Sequence, residues 1–171
     1  MKMGNLLILG FALVCSALGT AAQRAGGSSE EGAIRNVTAD YVAALSGADR
    51  AVLERVFLPK ATITGMWTDP QKGVQLETLS VPDFLAWLEG VQQRFEYMHF
   101  SVVKSEVRQY KDMAHVRLVL EVREKEKGKP EEVLHSLDQL HLFRHNGQWR
   151  IAGLAWTMEA PDAPLAKLRL R

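Results

Sequence analysis

Cysteine is almost missing from this chain. Cys15 is the only one in 171 residues, and it lies in an N-terminal segment that reads as removable. Without it no disulfide can staple the fold and no thiol can act as a nucleophile. Stability must therefore come from a packed core, and 47% apolar residues over the length of one domain are enough to build one. Charge of one sign is missing too. The 21 basic and 20 acidic residues nearly cancel, so nothing draws nucleic acid or an anionic membrane surface. No basic run or nucleic-acid-binding motif is present. The five histidines are His99, His115, His135, His141 and His145. They show no HxH or HExxH spacing, and a zinc site needs three or four converging ligands. No metal and no cofactor is expected, and His115 and His141 read as solvated residues of an outer sheet face.

The start of the chain does carry a pattern. Lys2 is followed by the apolar run Leu6 to Val14, broken only by Gly10, and then by Gly19-Thr20-Ala21-Ala22. This is the order of a secretory signal peptide with cleavage after Ala22. The run is too short for a membrane-spanning helix of ~20 residues, and Val14 before Cys15 speaks against a lipoprotein. The expectation is a periplasmic or secreted protein with no membrane contact once the signal is cleaved. Asn36-Val37-Thr38 matches the glycosylation acceptor pattern, but it falls inside a helical stretch and reads as a chance match.

Residues 23–32 are small and polar and read as a linker, with Ser28 and Glu31 resembling a capping box. Ile34, Val37, Tyr41 and Leu45 then recur at helical spacing up to Ser46-Gly47. Asp49 caps a shorter helix carrying Val52, Leu53, Val56 and Phe57. Ala61 to Trp67 is a strand, 68–73 a loop and Val74 to Leu79 a second strand. Ser80 and Asp83 open a third helix with Phe84, Trp87, Leu88 and Val91 on its apolar face. Pro82 is tolerated in its first turn. His99 to Val107 and Met113 to Lys125 are strands joined at Lys111-Asp112, and in the second of them Ala114, Val116, Leu118, Leu120 and Val122 share one face. The stretch Val133 to Glu159 predicts a long hairpin about Asn146-Gly147, a dipeptide suited to the positive φ of a type I′ turn. Pro161 and Pro164 mark 160–171 as a loosely held tail. Helices followed by a run of strands predict an α+β domain over 33–159. The expected form is a cone: a curved, mostly antiparallel sheet packed on three helices, with a pocket inside.

Two segments carry a resemblance. "TADYVAALSGADRAVLERVFLPKATI" looks like the opening of nuclear-transport-factor-2-like (cystatin-like) domains, which include ketosteroid isomerases and SnoaL-like cyclases. "LDQLHLFRHNGQWRIAGLAW" looks like the closing hairpin of the same superfamily and is similar above all to its lumazine-binding branch. The resemblance spans Ala33 to Glu159 and implies the fold far more strongly than an activity, since this fold hosts enzymes, binding modules and assembly domains. It implies a match of Tyr41 to the oxyanion tyrosine of the isomerases and of Asp138 to their protonated aspartate. Their general base would stand at the end of "ATITG", where this chain has Gly65, with Asp69 four residues on. That departure removes the agent for proton abstraction next to a carbonyl.

The candidate site residues are Tyr41, Trp67, Trp87, Tyr97 and Asp138. The three large aromatics could line a pocket for a flat or apolar ligand or simply pack the core. Asp138 alternates with Leu140 and Leu142, so its carboxylate points inward, where it must be paired or protonated. In the last strand Trp149, Ile151 and Ala155 alternate onto one face, and Leu154, Trp156 and Met158 onto the other. The second apolar face reads as the contact of a homodimer through the outer side of the sheet. An exported small-ligand-binding or assembly domain is the first reading of function. The alternative is an isomerase or dehydratase working by acid/base catalysis on a small carbonyl or cyclic substrate.

Overall fold

The computed structural model describes residues 19–69, 71–159 and 165, and side chains from residue 30 onward. Residues 1–18, with Cys15 and most of the stretch read as a signal peptide, and the tail apart from Leu165, lie outside the described residues. No helix among the described residues is long and apolar enough to cross a membrane.

Three helices lie against one face of a six-stranded sheet. The first two are α1 (Gly19–Gly47) and α2 (Arg50–Val56), then come strands β1 (Phe57–Asp69) and β2 (Gly73–Ser80) and helix α3 (Val81–Gln92). Strands β3 (Phe95–Tyr110), β4 (Met113–Glu126), β5 (Glu131–His145) and β6 (Gln148–Met158) complete the chain. The spatial order is β2-β1-β6-β5-β4-β3, with every pairing antiparallel except β1 with β6. The α+β expectation holds.

Local chemistry accounts for the boundaries. The Asp49 carboxylate accepts the backbone N–H of Val52 at 3.1 Å and caps α2. Ser80 caps α3 by accepting the N–H of Asp83, with Pro82 in the first turn. Asn146 and Gly147 both have positive φ, at 52° and 75°, as a type I′ turn requires. Helix α1 differs from its expectation. It runs unbroken through 23–32, where composition predicts a linker, so Ser28 lies within the helix and not at its start. No proline interrupts this stretch, and extending an anchored helix forms a new hydrogen bond for each residue fixed. Glu30 is part of the domain rather than of a linker. Its carboxylate accepts from Arg144 and from the Trp149 indole N–H, both at 2.7 Å, and so ties α1 to the tip of the β5–β6 hairpin.

The alternation of β4 places Ala114, Val116, Leu118, Leu120 and Val122 in the core, none more than 1% exposed. Leu140 and Leu142 of β5, Ile34, Tyr41 and Leu45 of α1, and Phe84, Leu85 and Leu88 of α3 meet them there. The ladder slips between Phe57 and Thr62, Phe95 and Tyr97, Val102 and Lys104, and His141 and Leu142. Such bulges bend a sheet and increase its twist.

The last slip corrects the face assignment of β6. His141 pairs with Gly153 and Leu142 with Ile151, so Ala152 is the extra residue. Past it the alternation reverses. Leu154 pairs with Leu140, Trp156 with Asp138 and Met158 with Ser136, on the same inner face as Ile151 with Leu142. Leu154, Trp156 and Met158 therefore line the concave side, and none of the three is available to an outer-face dimer contact. On the outer face Val119 is also covered, at 1% exposure. It stands between Lys104 of β3 and Leu137 of β5.

Candidate functional site

The concave side holds two aromatic-lined places that meet at Trp156. The first is a buried polar pair. Tyr41 lies on the core face of α1, about two turns after Ile34 and one after Thr38, and Asp138 projects inward from β5 beside Leu140. The Tyr41 hydroxyl donates to Asp138 Oδ2 at 2.7 Å, and the Ser136 hydroxyl donates to Oδ1 at 3.0 Å. Tyr41 is 1% exposed and Asp138 3%. Burial pushes the Asp138 carboxyl up to about 6, against the pull of its two hydroxyl donors. Burial likewise holds the Tyr41 hydroxyl well above its usual range, and the neighbouring carboxylate adds to this. Phe57 stands edge-on to Tyr41 at 6.0 Å, and Phe84 follows at 6.2 Å. The pair that the resemblance implies is thus present but sealed. Its one phenolic proton is already directed at Asp138, and no solvent-facing acceptor shares it.

The second place is a cleft between β1, β2, β6 and α3. Ile63, Leu79 and Phe84 form its base, and Trp67, Trp87 and Trp156 its walls. The Trp67 and Trp156 rings stack at 5.9 Å and 10°, and Trp87 meets Trp156 at 5.9 Å and 35°. Trp87 also stacks on Phe84 at 6.0 Å. The enclosed volume is about 10 Å³, close to what a single water occupies. Glu77 is the one charged side chain that lines it.

Gly65 sits at the centre of this cleft, opposite Glu77 on β2 and Trp156 on β6. A Cβ built on Gly65 would lie 2.5 Å from two ring carbons of Trp156 and 2.8 Å from its indole nitrogen. Any side chain there would have to displace the indole. Where the isomerases would carry a general base, this chain carries a flat aromatic ring above a bare backbone. Asp69 supplies no substitute. Its carboxylate accepts the backbone N–H groups of Gln71 and Lys72 at 2.8 and 2.9 Å, which hold it below the usual carboxylate range and close the β1–β2 turn.

Of the five candidates, Trp67 and Trp87 line the cleft, and Tyr41 and Asp138 pair beneath it. Tyr97 does neither. It lies on β3 at the far edge of the sheet, 42% exposed, and donates its hydroxyl to Glu131. A strand-period reading can assign Tyr97 a face but not its distance across a sheet. No group of three metal-ligating side chains exists among the described residues. The His115 and His141 rings touch at 4.9 Å on the outer face. Partial burial, and then the neighbouring imidazole, push His115 below its ordinary range. Sequence reasoning missed Trp156 and Glu77. The glycine beside the bulge in "AGLAW" was the available signal, since a glycine inside a strand often marks one.

The chain matches known proteins in family and in fold. The family described as "Putative lumazine-binding" matches residues 29–157. No curated protein matches the chain. An "NTF-2 like protein of unknown function" from Silicibacter pomeroyi DSS-3 is 22% identical, with 78% of this chain and 98% of that one covered and a TM-score of 0.53. A "Putative Scytalone Dehydratase" from Novosphingobium aromaticivorans DSM 12444 is 18% identical, with 78% and 87% covered and a TM-score of 0.64. A ketosteroid isomerase-like protein from Erwinia carotovora atroseptica SCRI1043 is 16% identical, with 76% and 96% covered and a TM-score of 0.58. At these identities the solved structures speak for the shared fold alone. The family match covers most of the chain, and it agrees with the sheet order, the three helices and the closing hairpin: the chain belongs to the lumazine-binding family of nuclear-transport-factor-2-like domains.

Proposed function

We propose that this protein is an exported small-ligand-binding domain that takes a flat or apolar molecule at the tryptophan-walled cleft and does no chemistry on it. The observation that carries this reading is the Gly65–Trp156 contact. An indole occupies the space a catalytic carboxylate would need, with Trp67 and Trp87 beside it. Aromatic walls favour planar apolar ligands through stacking and burial of area. The cleft as it stands has room for about one water, so a ligand seats by turning the half-buried Trp67 or Trp156. Family membership supports a small-molecule ligand. The export pattern of residues 1–22 and a second copy against the outer sheet face belong to the same reading. With Leu154, Trp156 and Met158 on the inner face, the contact would fall on Met113, Leu137 and Phe143 instead.

Melting curves against a library of planar heterocycles test the binding. At least one compound should raise the melting temperature in proportion to its concentration, and a library that leaves it unmoved would end the proposal. Mass measurement of the exported chain should find Gln23 as its first residue. Sedimentation at micromolar concentration should find a dimer.

One observation favours the alternative, an acid/base isomerase or dehydratase: the 2.7 Å bond between Tyr41 and Asp138. On that reading an enone substrate would have to reach a pair that is 1% and 3% exposed. Turnover of steroid-like enones that is lost in Asp138→Asn would establish it, and activity unchanged in that variant would remove the aspartate from any mechanism.

A further inference from the structure

Glu77 is the anomaly of the cleft. Its β2 position opposite Gly65 turns the side chain to the inner face, among three tryptophans and three apolar residues. Among the described residues it has no hydrogen bond and no ion pair, although most other glutamates of the domain are paired with an arginine, lysine or histidine. Gln75 and Leu79, its inward neighbours on the strand, are uncharged. A neutral apolar ligand seated on the tryptophans would strip water from this carboxylate and give nothing back, which costs free energy. An anion would be repelled. A bare metal ion would find one carboxylate and indole faces where it needs several oxygens. A cation with an apolar surface is the class that satisfies both features. Its charge is attracted to the ring faces and to the carboxylate, and its alkyl groups cover the indoles.

Resting on the binding role proposed above, we infer that the Trp67–Trp87–Trp156 cleft with Glu77 is a site for small alkylated ammonium ions, with quaternary trimethylammonium groups the best match. Trp67, Trp87 and Trp156 are each half-buried, so part of every ring is open at the mouth. A trimethylammonium group exceeds the enclosed 10 Å³. It therefore sits at the mouth over the exposed ring faces, within reach of the flexible Glu77 side chain on the edge strand β2. Trp156, over Gly65 and in ring contact with both other indoles, is the central wall of the site.

Titration of tryptophan fluorescence with choline chloride and with its neutral isostere 3,3-dimethylbutan-1-ol, at constant ionic strength, tests the inference. Choline should give a saturable change and bind about tenfold more tightly than the isostere. Glu77→Gln, an exposed substitution that leaves the melting temperature in place, should weaken choline by about tenfold and leave the isostere no weaker. Equal affinity for the two compounds, or a Glu77→Gln variant that binds choline as well as the parent, would overturn the cation assignment while the cleft remained a site for neutral ligands. If neither compound changes the fluorescence and no planar heterocycle raises the melting temperature, both the cation assignment and the binding role fall.

Discussion

Two neighbouring regions of the concave face use similar residues to opposite ends. Under α1, an aromatic residue and a carboxylate bond to each other and close off. Tyr41 and Asp138 satisfy one another, Ser136 completes the carboxylate, and Phe57 shuts the side. In the cleft, aromatic residues and a carboxylate stand together without bonding. Glu77 keeps its oxygens free, and the three indoles keep part of their faces exposed. Trp156 is the wall between them, the cross-strand partner of Asp138 on one side and the lid over Gly65 on the other. The difference teaches that the same residue types can close a buried pair or line an open cleft, according to whether their polar atoms meet. Groups that match the isomerase pattern here fasten a helix to the sheet, and on the proposed binding role recognition falls to the neighbouring cleft. The rest of α1 supports this division, since Ser46 accepts the Phe100 N–H and the Leu45 carbonyl accepts from Gln92, fixing its other end to β3 and α3.

The largest test of this contrast removes the fastener. Tyr41→Ala deletes a buried aromatic ring and leaves Asp138 short of a donor, and denaturant unfolding should register a loss of about 3–5 kcal/mol. A loss under ~1 kcal/mol would mean the pair carries no structural weight. Next comes the charge. The folded pKa of Asp138, at about 6, lies above the ordinary 3.8, so the native state holds this proton more tightly than the unfolded chain does. The stability it contributes is complete below pH 3.8 and is lost as pH rises through about 6. That interval is worth roughly 3 kcal/mol at 1.36 kcal/mol per decade. Stability of Asp138→Asn, followed by urea titration at a series of pH values, should lack this slope between pH 4 and 7. An identical pH profile in parent and variant would place the proton elsewhere.

Gly65→Ala attacks the other region. Its new methyl forces the Trp156 indole aside at a cost of about 1–3 kcal/mol, as overpacking does, and tryptophan emission should shift with it. An unshifted spectrum would mean the indole does not rest where the structure puts it. The smallest effect belongs to Tyr97→Phe. This position lies in neither region, so stability should change by no more than about 0.5 kcal/mol, with cleft binding intact. A measurable loss of ligand affinity there would reopen Tyr97 as a site residue.

What could be read in advance follows the range of the interaction. The Asn146-Gly147 turn, the Asp49 and Ser80 caps and the alternation of β4 depend on residues a few positions apart. Their chemistry was therefore visible in the sequence. So was the inward carboxylate of Asp138, because a strand's period alone turns it toward the core, and the resemblance supplied Tyr41 as its partner. The errors arise where non-local structure decides. A single extra residue at Ala152 reverses every later side chain of β6, and no local rule states where a strand will bulge. That slip moved Leu154, Trp156 and Met158 from a supposed dimer surface to the inner face of the sheet and brought Trp156 over Gly65. The start of α1 escaped for a related reason. Glu30 is held by Arg144 and Trp149, 114 and 119 positions away, and no composition window spans that distance. By itself the sequence determined most of the elements, the Asp49 and Ser80 caps, the closing turn and the α+β class, all of which depend on local patterning, while the absence of a base at Gly65 is what the resemblance implies. Only the tertiary structure decided what fills the space the base would have used, because the parallel pairing of β1 with β6 and the bulge beside it are set by the packing of the whole sheet.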